Sequence, residues 1–432
     1  MKNVNVCFSI IINVNKSFLN NRLDILLTKS YNQRRKLKPI KIVSINPNIK
    51  QAINFRRYYM IFQLYSSHAG MQLIGWVLVF IGLILMNEIG RKTKVGGMVV
   101  FVIIPAILTL YFILAHVGMF GGPENPTVAF MDGWFHYFKL YAADIGCVGF
   151  MMIKYEWGLG KKAWFKWWPW FIVAANIMIA NVSDMESALA AFSITGDLSG
   201  AWWASNEGVF IYGGWWNVVN ALAGLINIFC MTGCINLFTS KDKNMSDMIW
   251  PDMTIWFILA YDVWNFEYTY LNLPTHSWYC GVALLLAPTF ANALWNKGGW
   301  IQNRANTLAI WCMWAQVVPA FQLSSRFAAA LPSVYGNATA LGITTMDLYD
   351  KAITLYNSGA GKTAQAGQII SDMGIVADPR AQGVVAVAAI AINVVVMAFI
   401  IQRSIKMGKN PYSNDVWAGT KDYEEAMARA RA

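Results

Sequence analysis

The chain has 432 residues, of which 56% are hydrophobic and only 13% charged, whereas soluble domains carry roughly 25% charged residues. This excludes an ordinary water-soluble domain and points to a chain solvated by lipid. The net charge of +11 arises wholly in residues 1–59, which hold 12 Lys and Arg against the single Asp24. The rest of the chain is balanced, which removes the electrostatic reason to expect nucleic acid as a partner.

The first segment also differs in composition. It has ten Asn and nine Ile but no Gly and no Trp, and the profile changes abruptly at Met60. The expectation is that Met60 is the natural start, with 1–59 an upstream over-extension or a disordered basic segment.

From there the predicted elements follow in order. A helix crossing the hydrocarbon core needs about 20 largely apolar residues. Nine stretches qualify: 70–87, 96–118, 133–153, 167–182, 214–238, 249–271, 276–294, 306–323 and 382–402. Continuous apolar runs favour helices, because lipid requires each segment to satisfy its own backbone groups. Pro169 and Pro319 make the fourth and eighth the weakest. The expected fold class is all-α, a polytopic transmembrane bundle with eight spans in 60–323 and the ninth at 382–402. Residues 324–381 read as an extracytoplasmic loop or small helical cap, and 403–432 as a cytoplasmic tail.

The loops alternate in charge. Lys and Arg follow the odd spans, at Arg91, Lys92, Lys94, Lys154, Lys161, Lys162, Lys166, Lys241, Lys243, Lys297, Arg304, Arg403, Lys406 and Lys409. The opposite loops carry acids instead: Glu124, Asp132, Asp184, Glu186, Asp197 and Glu207. By the positive-inside rule the Met60 end lies outside and the C-terminus in the cytoplasm.

Ionisable residues inside spans are costly and often mark function. In AYDVWNFEYTYLNLP (260–274), Asp262, Asn265, Thr269 and Asn272 fall within about 80° on a helical wheel, bordered by Tyr261 and Tyr268. Glu267 lies about 140° round from Asp262, so the two carboxylates face different neighbours. The fifth span has a matching stripe of Asn217, Asn220, Gly224 and Asn227, and the third places Asp132, His136 and Lys139 at i, i+4, i+7. The candidate solute- or ion-binding set is therefore Asp262, Asn265, Tyr268, Asn217, Asn220, Asp132, His136, Lys139 and Glu267, with no catalytic residue assigned. The bland alternative for the amides is polar glue between helices, worth roughly 0.6 kcal/mol each.

Other chemistry finds little support. The four histidines lack a two-ligand spacing, and the six cysteines form no C-x-x-C pair, so no metal or cofactor is expected. GAGKT (359–363) has the wrong glycine spacing for a phosphate loop.

The stretches YDVWN (261–265), THSWYCGVALLLAP (275–288), GGWIQNRANTLAIWCMW (298–314), NEIGR (87–91) and WFHYFKLYAADIGCVGFMMIKY (134–155) resemble an uncharacterised family of bacterial multi-pass inner-membrane proteins. The resemblance covers roughly 60–325. It implies a bacterial inner membrane and carries over no site residue.

The leading functional expectation is a secondary transporter or permease for a small polar solute, with the site between spans three, five and six and Asp262 as the coupling residue. The partners are then the bilayer and that solute. Two alternatives stay open. One is an intramembrane enzyme acting on a lipid or isoprenoid carrier through Asp132, His136, Asp262 and Glu267. The other is a membrane scaffold.

Overall fold

The computed structural model describes residues 61–62, 64, 68–131, 134–241, 245–318, 321–322, 324, 326–329, 331–338 and 341–431. The basic segment 1–59, Asp132 and Pro319 lie outside the described residues.

Each of the nine apolar stretches contains a helix. They are α1 Ala69–Lys92, α2 Lys94–His116, α3 Trp134–Lys154, α4 Trp168–Thr195, α5 Trp215–Phe229, α6 Ile255–Asn272, α7 Trp278–Leu294, α8 Trp300–Val317 and α11 Arg380–Met407. Between the last two stand α9 Thr345–Asn357 and α10 Gln365–Asp372, and α12 Lys421–Arg431 ends the chain. Four helices (α1, α2, α4 with the turn before it, and α11) are long and apolar enough to cross a membrane. Their outer surfaces carry Leu78, Leu85, Ile107, Leu189, Val384 and Ile401, all more than half exposed, while Asn87, Asn220 and Asn393 are buried. Apolar outside and amide inside is the partition expected of a bundle in lipid.

Prolines shape α2 and α7. Each contains a wide π-turn, Val99–Ile103 before Pro105 and Trp278–Ala283 before Pro288. Proline has no N–H to return to the preceding turn, and a local π-bulge absorbs the mismatch.

Three boundaries depart from expectation. Pro169 sits at the start of α4 rather than interrupting it, where a missing N–H costs nothing. The helix then runs through Ser183 and Asp184 to a left-handed Gly196. Asp184, expected in an acidic loop, is thus a helical and fully buried residue. In the other direction α5 stops at Phe229, and the described residues between it and α6 hold only a short antiparallel ladder, Phe238–Thr239 with Met248–Ile249. Gly233 there takes φ +62, and the amides of Gly233 and Cys234 bond to the carbonyls of Pro411 and Tyr412 in the tail. Loop 196–214 also holds an antiparallel hairpin, β1 Ala201–Ala204 with β2 Phe210–Gly213, in register Ala201 to Gly213.

The helices pack as two groups. α4, α5, α6 and α11 form one, and α1, α3, α7 and α8 the other; α3 with α4, and α6 with α7, join them. The hairpin, α9 and α10 gather at one end, the cap face. The described residues of the connection between α5 and α6 gather with α12 at the opposite end, the tail face.

The tail face is closed by charge. Asp247, fully buried, binds Arg91 at 2.6 Å and also Arg429 of α12. Lys154 donates to the carbonyls of Arg91 and Ser246. Asp422 of α12 accepts from the Ile255 amide at 2.6 Å, supplying a partner for one of the orphan N–H groups at the start of α6.

Candidate functional site

Where the two helix groups meet they enclose an inner chamber of about 50 Å³. α3 presents Phe135 and Lys139 to it, α4 Asn176, α6 Asn265 and Tyr268, α7 Cys280, and α8 Arg304. Close helix approach beside the chamber depends on Gly281. A Cβ there would collide with the Thr269 hydroxyl of α6, so only glycine lets α7 press against α6.

Two cations line this small space. Arg304 is buried; its Nη2 donates to Asn265 Oδ1 at 3.3 Å, and its guanidinium stands 5.6 Å from the Tyr261 ring. Its Nε and Nη1 have no hydrogen-bond partner. Lys139 Nζ lies 5.5 Å from the Phe135 ring. Among the described residues, neither cation has a carboxylate within 4.0 Å. Burying an unpaired charge costs several kcal/mol, a penalty that falls on the buried Arg304, while Lys139 is half-buried; the chamber is suited to an anion.

An outer chamber of about 150 Å³ adjoins it and shares Phe135, Tyr268 and Leu273 as walls. Its other walls include Glu186, Ser187, Glu207, Asn272 and Lys362. At the rim Lys362 pairs with Glu186 at 2.6 Å, each about half exposed. This chamber therefore reaches the surface on the cap face. His136 belongs to its surroundings: its ring lies 4.4 Å from that of Phe130, and its Nε2 lies 3.7 Å from Glu207.

The remaining candidates are placed elsewhere. Asp262 accepts from Thr289 Oγ1 at 2.7 Å, and Trp300 donates to the same hydroxyl at 2.9 Å. Asp262 is one turn nearer the tail face than Asn265 and does not line the inner chamber. Asn217 and Asn220 do not face it either. Their Nδ2 groups donate to Asp184 at 3.2 and 2.8 Å, and Asn272 donates to the same carboxylate at 2.6 Å. Glu267 is fully buried, with no hydrogen-bond partner for either oxygen. The structure thus brings Lys139, Asn265 and Tyr268 together, leaves Asp262 below them, and sets Asn217 and Asn220 around a different carboxylate.

Two residues of these clusters escaped the sequence reading. Arg304 counted as a loop charge, yet it lies in the second turn of α8. The signal was its company: Asn303, Asn306 and Thr307 flank it, and all are buried. Asp184 counted as a loop acid because the apolar run fades at Ser183. Its signal was an uninterrupted helical pattern onward to Thr195.

One comparison bears on identity: a family profile spans residues 66–429 of this chain. The chain belongs to DUF5692, a family of unknown function. No curated protein and no solved structure matches it. For this DUF5692 chain the site chemistry therefore rests on its own geometry. Among its described residues no group of three or more His, Cys, Asp or Glu is placed to hold a metal ion. What the DUF5692 bundle offers is two cations, amides and a phenol around one enclosed space.

Proposed function

We propose that this protein is a nine-span permease of the bacterial inner membrane that binds a small anion between its two helix groups. One observation carries the reading: Lys139 and Arg304 face a common chamber, and among the described residues neither has a carboxylate within 4.0 Å. The anion's acidic group would sit on these cations, with Asn176, Asn265 and Tyr268 as neutral hydrogen-bonding partners. Any further body would extend into the outer chamber. This replaces Asp262 with the cation pair as the centre of the site.

The two-group architecture supports a transport role, since substrates of such proteins bind near mid-depth between rocking units. With the positive loops in the cytoplasm, the outer chamber opens outward and the Arg91–Asp247–Arg429 network closes the inward side. The arrangement corresponds to an outward-facing state.

The test is thermal unfolding of the purified protein against chloride, nitrate, sulfate, phosphate and acetate. A bound anion at 100-fold its Kd stabilises by about 2.7 kcal/mol. At least one anion should raise the melting temperature of the wild type and have no effect on Arg304→Gln or Lys139→Gln. If every anion acts equally on wild type and both variants, the chamber is not an anion site.

A further inference from the structure

A second buried cluster stands apart from the cation chamber. Asp184 in α4 and Glu267 in α6 are both fully buried. Asp184 accepts three amide donors, from Asn217, Asn220 and Asn272, split over its two oxygens. A carboxylate that only accepts is suited to these partners in its ionised form. Glu267 is the opposite case, since neither of its oxygens meets a donor. The carboxamide oxygen of Asn220 beside Asp184 is likewise buried without a donor. The three amide donors all go to Asp184, which leaves the Glu267 and Asn220 oxygens as acceptors without a hydrogen.

The surrounding titratable and charged groups do not supply a cation. α5 carries none, and α4 adds Glu186, which Lys362 already holds. α6 adds Asp262, Tyr261, Tyr268 and Tyr270; the hairpin adds Glu207 and Tyr212. In α11, Arg380 is held by Asp378, Arg403 binds the Val416 and Ala418 carbonyls near the tail, and Lys406 lies in the last turn at the tail end, while α7 adds only Tyr279 and Cys280. The helix that carries Glu267 reaches Asp184 directly, through Asn272 five residues further along α6. Two bare carboxylates, both fully buried on helices packed against each other, are disfavoured by desolvation and like-charge repulsion together.

We propose that Asp184 and Glu267 form a proton-binding site, with the proton on Glu267 and the negative charge on Asp184. On loading, an O–H bond forms at a Glu267 oxygen with a proton from water; on release that bond breaks and the proton returns to water. The outer chamber is the source. Ser187 and Asn272 line it, Ser187 Oγ donates to Asn272 Oδ1 at 2.6 Å, and Asn272 in turn binds Asp184. One hydrogen-bonded layer thus separates the pair from the space through which the anion would enter. The role as coupling ion rests on the permease reading: an anion moving with one proton crosses without net charge.

Infrared difference spectroscopy on the purified protein in liposomes tests the site without any solute. Stepping from acid to alkaline buffer, with potassium as the only metal cation, should remove the carbonyl band of one protonated carboxyl that Glu267→Gln lacks throughout. Asp184→Asn should shift that loss to lower pH by about one unit, because the like charge opposing Glu267 ionisation is gone. The second variant decides the matter should the first fail to fold. Unchanged spectra in Glu267→Gln, no shift in Asp184→Asn, or displacement of the band by sodium at constant pH would each overturn the proposal. Arg304→Gln should lose anion stabilisation and keep the band, so the two readings fail separately.

Discussion

Lys139 and Arg304 belong to helices that begin at opposite faces of the bundle, and their side chains line the same inner chamber. Lys139 lies five residues into α3 from the cap face, about 8 Å, and Arg304 four residues into α8 from the tail face, about 6 Å. Long side chains reach past the ends of their own turns, which is how two distant charges come to share one space.

Replacing Arg304 by Met should stabilise the empty protein while abolishing anion binding. An uncompensated buried charge is removed and similar volume retained, a change worth about 1–3 kcal/mol in favour of the fold. Melting curves recorded without added anion, at one fixed scan rate, should lie above wild type. A lower melting temperature would mean that Arg304 is paired and structural.

The tail latch should fail at Asp247. This carboxylate is fully buried between Arg91 and Arg429, so Asp247→Asn leaves two guanidinium groups without their shared counter-ion. Breaking a buried pair from one side costs about 3–5 kcal/mol. Glu88 still holds Arg91, and Asn296 still holds Arg429, which places the expected loss near the lower figure. Arg429→Ala should cost less and should expose residues 408–431 to limited proteolysis several-fold faster. Equal cleavage rates would show that the tail is held elsewhere.

Gly224 of α5 packs tightly against both α4 and α6. A Cβ there would meet Asn181 Oδ1 and lie 2.6 Å from Trp264 Nε1. Gly224→Ala forces both helices apart, and overpacking of this kind costs about 1–3 kcal/mol. The loss should be visible as a lower melting temperature. Gly367→Ala, with open space around it, is the control and should be neutral or slightly stabilising.

The cap should loosen in acid at one defined helix end. Asp347 and Thr344 form a capping box at the start of α9: the Thr344 amide and hydroxyl both donate to Asp347 Oδ2 at 2.8 Å. These bonds, the backbone one first, hold the Asp347 carboxyl below its usual value. A depressed folded-state value means the contribution is complete above the unfolded value of 3.8 and lost as pH falls through the lower folded one. Amide exchange at 345–348 should rise in that acidic window, and Asp347→Asn should show the same exchange at neutral pH.

Much of the architecture was legible in the chain itself. Helices stand at all nine apolar stretches, because a run of that length leaves no other way to satisfy backbone groups in lipid. Boundaries were less legible where a polar residue was misread as an end. Ser183 and Asp184 looked like the exit of a span, yet α4 continues because amides from α5 and α6 satisfy the carboxylate. The stripe on α6 was drawn with the right members but one supposed destination. In the structure it is divided, with Asp262 on Thr289, Asn265 on Arg304 and Asn272 on Asp184.

The sequence by itself determined the apolar, charge-poor character of this protein, its helical class, the places of its helices, and which helices carry polar residues into the bundle. Those follow from composition and local periodicity, which act within one segment. Which polar residues meet was decided only by tertiary packing. Arg304 and Lys139 are 165 positions apart in the chain, and Asp184 and Glu267 lie on different helices. Burial leaves Arg304 and Glu267 with unsatisfied polar atoms, and burial is a property of the neighbours that the fold brings, not of the segment that carries the charge.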